Sequence, residues 1–407
     1  MKCRHCQNII SLELCNLGFA PVSNGYLAKE ALSAKENYYP LRVGVCNSCW
    51  LVQTEDFSSP EELFSSDYAY FSSASSSFLE HAKLYVDMIE ERLNLDNSSL
   101  VCEIASNDGY LLRNFKEKNI PCYGVEPTQS TAEASEKLGI ENIKEFFGTK
   151  LAKELLKKDM KCDLVLGNNV FAHVPNINDF TSGIATILKP NGVVTLEFPH
   201  LLRLLESTQF DTIYHEHYSY LSLYSVQKIF SKAGLRVFDV EQIDTHGGSI
   251  RVYGCHDASG IKEEQSVKGL LDYEKDFGIC NESTYNGFQP KVDYIKNCFL
   301  EFLLKQKANN KVVVGYGAAA KGNTLLNYSG IKPDLISHVF DGAESKQNQF
   351  LPGSHIPILE PSRISEIDPD YVVIFPWNIA DEIQKIAKPM IRKEAKFVVA
   401  IPELKII

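Results

Sequence analysis

The stretch Val101-Cys-Glu-Ile-Ala-Ser-Asn-Asp-Gly-Tyr-Leu-Leu112 decides how the chain is read. It predicts a short buried strand, a tight turn at Asn107-Asp108-Gly109, and then a helix. Gly109 has no Cβ, so a ligand can approach the backbone there. Glu103, Asn107 and Asp108, with Ala105 and Ser106 in the same turn, gather at the strand's carboxyl end. Open α/β sheets bind their ligands at that end. About twenty residues on, Cys122-Tyr-Gly-Val-Glu126 predicts a second strand ending in an acid. An acid there can accept both hydroxyls of a ribose.

The turn carries neither a Gly-Lys-Ser/Thr run nor a full G-x-G-x-x-G. An adenosine without phosphates therefore fits better than a pyrophosphate, and S-adenosylmethionine is the common compound of that kind. A plain strand–helix–strand unit with no ligand would produce the same pattern.

The chain's 407 residues predict two or three domains, and 44% hydrophobic with 23% charged residues is ordinary for a soluble globular protein. A net charge of -11 argues against nucleic acid or an anionic membrane as the main partner. No apolar run is long enough for a signal peptide or a membrane span, so a cytoplasmic protein is expected. In a reducing cytoplasm the eleven cysteines would be thiols or metal ligands.

Cys3-x-x-Cys6 and Cys46-x-x-Cys49 are two close pairs, suited to tetrahedral zinc. A closed set of four thiolates leaves no open coordination position, so the metal is read as structural. His5 and Cys15 are not expected to bind it. Further on, Tyr68 and Tyr70 sit at strand spacing on one face, in a position to line a ligand site. Ser77 to Leu93 then shows helical periodicity.

From Leu100 to Val194 strands at 100–105, 121–126, 162–168 and 192–198 alternate with helices. That alternation predicts a parallel, doubly wound sheet. Leu188 to Gly192 reads as a turn before the last of these strands. Phe147 stands where it could stack on an adenine, and core packing explains it equally well. Asn168 and Asn169 end a buried strand, and His173 follows in the loop. Residues 209–224 are dense in proton-transfer groups, with Tyr214, Glu216 and His217 close together. A base oriented by a carboxylate beside a phenol is the economical reading; a polar loop closing the sheet is the bland one.

His246-Gly-Gly-Ser-Ile-Arg251 is a turn into a strand, whose glycines and arginine could meet a phosphate or simply close a hairpin. Residues 262–308 read as long connecting helices. At 310–326 a strand runs into a Gly315-x-Gly317 turn and a helix bearing Lys321, a start that favours an anion. Strands at 336–340 and 371–375 would complete a Rossmann-like unit, with Asp341 placed to accept from a nucleoside hydroxyl or to cap a turn.

Taken together these motifs resemble the S-adenosylmethionine-dependent C-methyltransferases of deoxysugar biosynthesis. The resemblance covers nearly the whole chain. It rests on the paired C-x-x-C ends, Glu103 to Gly109, Asn168 to His173, Tyr214 to Tyr218, His246 to Arg251, and Gly315 to Gly322. It implies an α/β chain with three parts. A zinc-binding domain would span 1–65, a class I methyltransferase Rossmann-like core 66–255, and connecting helices with a C-terminal Rossmann-like domain 256–407.

It also implies zinc on Cys3, Cys6, Cys46 and Cys49, and a nucleotide-linked 4-keto-deoxysugar, commonly dTDP-linked, as substrate. The cofactor would lie near Glu103, Asn107 and Glu126, and proton transfer would fall to His217, with Tyr214, Glu216 and His173 nearby. Tyr68 matches a substrate-side tyrosine. Tyr70, His246, Arg251, Gly315, Gly317, Lys321 and Asp341 are the remaining substrate-side candidates. Phe340 to Lys346 departs from the family, which carries a proline in that turn. No nucleic-acid or membrane partner is expected, and the chain is expected as a monomer or weak homo-oligomer. An O- or N-methyltransferase of a nucleotide sugar and an NAD(P)-dependent sugar oxidoreductase are the alternatives.

Overall fold

The computed structural model of the chain describes residues 1–57, 71–74 and 76–407. Tyr68 and Tyr70 lie outside the described residues. The N-terminal part is an antiparallel sheet of β1 (Leu12–Ala20), β2 (Tyr39–Val45) and β3 (Val52–Thr54). In β2 Leu41 and Val43 are buried while Arg42 faces solvent, the two-residue period of a half-buried strand. The cysteine pairs flank the hairpin: Cys3 and Cys6 precede β1, and Cys46 and Cys49 follow β2. At the opposite end Ala20 pairs with Tyr39, and residues 21–38 form the hairpin's tip. A short strand from far along the chain, Ser219–Tyr220, pairs antiparallel with β3 and completes this sheet.

The middle of the chain builds β4 (Val101–Ile104), β5 (Cys122–Val125), β6 (Glu141–Ile143), β7 (Cys162–Asn168) and β8 (Leu188–Pro199). The inserted Ser219–Tyr220 is β9, followed by β10 (Leu235–Ile243) and β11 (Ser249–His256). Seven of these form one sheet in the order β10-β11-β8-β7-β4-β5-β6. The five strands from β8 to β6 are parallel, as the alternation predicts. Both faces are covered: Cys102, Ile104 and Val165 enter one core, while Val101, Leu164 and Leu166 enter another. Beyond β8 the sheet continues with β11 and then β10: β11 runs antiparallel to β8, and β10 and β11 are joined by a tight turn. Strands joined by so short a turn, as β10 and β11 are, can only run antiparallel to each other. Residues 188–192 are also not a separate turn. They belong to β8, where the pairing with β7 shifts register between Cys162 and Leu164.

Helices Gln265–Phe277, Glu282–Asn286 and Phe288–Ala308 lead to the third sheet. It contains β12 (Val313–Tyr316), β13 (Val339–Phe340), β14 (Ile358–Leu359), β15 (Tyr371–Ile374), β16 (Lys396–Val399) and β17 (Lys405–Ile406), in the order β14-β13-β12-β15-β16-β17. All pairs are parallel except the last. One apolar core joins this part to the N-terminal sheet: Leu14 and Val43 share it with Val292, Phe299 and Leu326. Among the described residues no helix is long and apolar enough to cross a membrane.

Candidate active site

The four knuckle cysteines converge, with all four sulfurs within 4.8 Å of one another. Cys3 Sγ lies 3.4 Å from Cys49 Sγ, and Cys6 Sγ 3.4 Å from Cys46 Sγ. Zinc–sulfur bonds of about 2.3 Å in a tetrahedron put sulfurs roughly 3.8 Å apart. The donor set therefore fits Zn²⁺ with all positions filled by protein. His5 hydrogen-bonds Asn178 instead, and Cys15 is buried in the other core.

The carboxyl ends of the parallel strands open into a cavity of about 980 Å³. Its wall includes Ala105, Asn107, Glu126, Phe147, Asn168 and Asn169, six residues expected at a cofactor. Ala105, Asn107, Asn169 and His246 all have positive φ, between 50° and 58°, although none is glycine. Strained backbone of this kind concentrates where a ligand is held. Gly109, at φ +79, is required: a Cβ there would lie 2.5 Å from Ser135 Oγ.

Glu126 accepts the Asn107 N–H at 2.9 Å through one oxygen and the Thr128 N–H at 2.9 Å through the other. The Asn168 side-chain oxygen and nitrogen are buried, yet neither has a hydrogen-bond partner among the described residues, and Asn169 Oδ1 has none either. Orphaned amide atoms in a cavity wall are what an adenosine-type ligand would satisfy. Glu103, Ser106, Asp108 and Gly109 do not reach the cavity; they stand behind it. Ser106 hydroxyl donates to Asn142, and Asp108 accepts the Ser73 N–H. Burial, with Asp108 and Glu126 nearby, pushes the Glu103 carboxyl well above the usual range.

The proton-transfer segment faces the same cavity through Tyr214 and His217, joined by His173 and His246. His217 Nδ1 lies 2.8 Å from the Thr212 carbonyl, which can only accept. The ring's proton therefore sits on Nδ1, and its Nε2 lone pair receives the Tyr214 hydroxyl at 2.8 Å. Burial, then the adjacent His173, hold the His217 pKa well below its ordinary value, so the ring is neutral at physiological pH. His173 is set the same way, with Nδ1 2.8 Å from the Glu216 carbonyl and its ring centroid 4.7 Å from that of His217. Burial lowers its pKa to about 4.

The expectation that the Glu216 carboxylate orients His217 is corrected. That carboxylate points to the N-terminal hairpin tip, where Asn24 donates to its Oε1 from both backbone and side chain, each at 3.2 Å. The Thr212 carbonyl orients His217 instead.

From the C-terminal part, Gly317, Lys321, Asp341 and Lys346 complete the wall. Gly317, at φ +88, packs on Pro376, where a Cβ would come within 2.4 Å. Lys321 donates to Asn378 Oδ1 at 2.7 Å and stands 4.9 Å over the Trp377 ring. Trp377 in turn donates to Asp211 at 2.7 Å. Asp341 accepts the Ala318 and Ala343 N–H groups at 2.7 and 2.8 Å, which pins the glycine turn.

Gly315 lies inside β12 against Phe375 and does not face the cavity. Arg251 is also corrected as a phosphate ligand. It is buried, with ion pairs of 2.7 Å to Glu197 and 3.1 Å to Glu241. These are its neighbours across β8 and β10, so its charge is already matched. Sequence reasoning missed Asn24, Asp211, Trp377 and Lys346. Contacts made far along the chain reveal them, Asn24 with Glu216, Asp211 with Trp377 and Lys346 with Ala318.

Residues 244–402 match the family model for a C-methyltransferase C-terminal domain, residues 78–240 that for a methyltransferase domain, and residues 3–64 that for a zinc binding domain. C-methyltransferase NovU of Streptomyces niveus is 35% identical over 406 residues, covering 100% of this chain and 96% of its own length. Among solved structures, magnesium protoporphyrin IX methyltransferase of Synechocystis shares 14% identity over 43% of this chain and 79% of its own, with a TM-score of 0.33. An S-adenosylmethionine-dependent methyltransferase of Clostridium acetobutylicum shares 10% over 44% and 91%, with a TM-score of 0.35. At scores this low the structural likeness carries no argument.

Proposed function

The chain belongs to the S-adenosylmethionine-dependent C-methyltransferases with an N-terminal zinc-binding domain, and from that premise we propose that it methylates a nucleotide-linked, dTDP-type 4-keto-deoxysugar at a carbon next to the ketone, with His217 as base. The supporting observation is a neutral imidazole whose Nε2 lone pair faces the same cavity as Asn107, Glu126 and Asn168. The units 1–65, 66–255 and 256–407 divide the labour into scaffold, methyl transfer and nucleotide binding. The reaction is assigned to the cytoplasm.

Carbon accepts a methyl group only as a carbanion. The 4-ketone makes the neighbouring C–H acidic by spreading the negative charge onto oxygen. Bound S-adenosylmethionine supplies an electrophilic methyl group on a sulfonium. His217 Nε2 takes the carbon-bound proton and becomes imidazolium. Tyr214, displaced from Nε2 by that C–H, turns its hydroxyl to the growing enolate oxygen, with the protonated ring beside it. The enolate carbon forms the new C–C bond to that methyl group as the methyl–sulfur bond breaks, so that S-adenosylhomocysteine leaves as a neutral thioether, the ketone reforms, and the imidazolium returns its proton to water.

Lys321, Lys346 and the amino end of the helix Ala320–Ser329 offer positive charge for the sugar's phosphates. Alignment of the two reactants in one cavity is the protein's main contribution.

The test is exchange in deuterium oxide with dTDP-4-keto-6-deoxyglucose and S-adenosylhomocysteine bound. Wild-type protein should wash deuterium into the position beside the ketone, and His217→Asn should not. If wild type leaves a panel of nucleotide 4-keto sugars unexchanged and unmethylated, the substrate assignment is wrong. If His217→Asn exchanges at the wild-type rate, His217 is not the base.

A further inference from the structure

The tip of the β1–β2 hairpin carries a cavity-lining residue that belongs to neither α/β unit. Asn24 reaches the cavity wall from the cysteine-bearing sheet. Its backbone N–H and its side-chain Nδ2 both donate to Glu216 Oε1, at 3.2 Å each. Glu216 is wholly buried, and its Oε2 has no hydrogen-bond partner among the described residues. The two Asn24 donors are therefore the hydrogen bonds that tie that carboxylate to another element of the fold. The main-chain oxygen of Glu216 accepts a hydrogen bond from His173 Nδ1–H, and His173 packs edge-on against the base.

The tip itself is fixed from the other side. Asn323 donates to the Ser23 carbonyl at 2.6 Å, and Tyr26 hydroxyl donates to the Ala318 carbonyl at 2.6 Å. Lys346 donates to that same carbonyl at 2.9 Å. The hairpin tip thus links the anion-binding turn to the proton-transfer segment.

Building on the C-methyltransferase reading above, we propose that Asn24 is a positioning residue: by clamping the Glu216 carboxylate it holds the Glu216 carbonyl where it fixes the tautomer and the edge-on placement of His173 beside His217. The clamp depends on a donor facing an acceptor. Replacing Nδ2 with an oxygen keeps the shape and reverses the interaction.

The test uses the full chain with dTDP-4-keto-6-deoxyglucose and S-adenosylmethionine, together with ¹⁵N-imidazole spectra of the unliganded protein. Small misplacements of aligned groups cost up to about 100-fold in rate. Asn24→Ala and Asn24→Asp should each lower kcat about 10- to 100-fold, with KM for both reactants within roughly threefold. The His173 spectrum should change from a single Nδ1–H tautomer to a mixture. In a Glu216→Gln background the new amide can donate to a carboxylate placed at position 24. There the Asn24→Asp substitution should cost much less than in wild type.

Equal cost in both backgrounds, or an unchanged His173 tautomer in Asn24→Ala, overturns the proposal. If Asn24→Ala fails to fold, the isosteric Asn24→Asp and its Glu216→Gln cycle decide the matter. If wild type shows no activity on the sugar, the substrate reading fails, and the imidazole spectra still decide the role of Asn24.

Discussion

Two buried polar clusters sit at the carboxyl ends of the central strands, and they differ in what they leave unused. Around Glu197 both carboxylate oxygens are matched. His81 meets both carboxylate oxygens at 2.9 Å, Arg251 donates at 2.7 Å and Thr245 at 3.2 Å. Burial would raise the Glu197 pKa, yet His81 and Arg251 outweigh it and hold the carboxyl at about 2. Around Asn168 and His217 the opposite holds. Amide atoms lack protein partners among the described residues, and imidazoles are kept neutral by burial. The first cluster closes on itself and holds up the sheet. The second keeps hydrogen-bonding capacity in reserve for molecules that come and go. A buried polar group left unmatched costs the fold about 1–3 kcal/mol, so a protein keeps one where it gains something else.

The contrast can be broken in four places. The largest effect should come from His217→Asn, which is expected to lose about 10²–10⁴-fold in kcat while its thermal melt stays near wild type. A melt that collapses along with activity would put His217 in the structural class.

Arg251→Ala should do the reverse. It strands Glu197 and should cost about 3–5 kcal/mol of stability in denaturant titrations, with kcat nearly normal in whatever stays folded. A stable Arg251→Ala protein with weakened sugar binding would restore its role as a phosphate ligand.

A smaller effect is expected from Asn168→Ala. Removing an orphaned amide should leave stability unchanged or slightly raised, while S-adenosylhomocysteine binding weakens about tenfold by calorimetry. Unchanged affinity would mean those atoms face no ligand.

The mildest test is pH. Glu197 has a folded pKa below its ordinary 4.5, so its contribution is complete above about 4.5 and fades as pH falls toward 2. His173 and His217 are depressed bases. The unfolded chain takes up their protons first, so stability declines as pH drops below 6.5. The acid limb of kcat/KM for the free enzyme should likewise lie below 6.5. A limb at or above that ordinary histidine value would contradict a buried neutral base.

What the chain reveals unaided follows from distance along it. Val101 to Leu112 is a strand, a turn and a helix start made by neighbours, so it is readable from the local order of residues. The cysteine pairs are equally local. Arg251 misleads because its meaning lies in register. Glu197 and Glu241 are its cross-strand neighbours, and no spacing rule announces which strands will flank β11. Glu216 misleads for the same reason, since its anchor lies 192 residues away at Asn24. The identity of the proton-transfer residues follows from their crowding in 214–218. Their orientation does not, because the Thr212 carbonyl that sets the His217 tautomer looks like any other main-chain oxygen until the turn closes.

Strand β9 has a practical consequence for anyone recombining these enzymes. Residues 219 and 220 complete a sheet whose other strands end at Thr54, with Tyr220 paired to Val52 directly after the segment that holds His217. A chimera cut at the end of the cysteine module would join one parent's edge strand to another parent's active-site loop. Grafts among relatives should therefore exchange residues 1–57 and 209–222 as one unit, even though the sequence keeps them far apart.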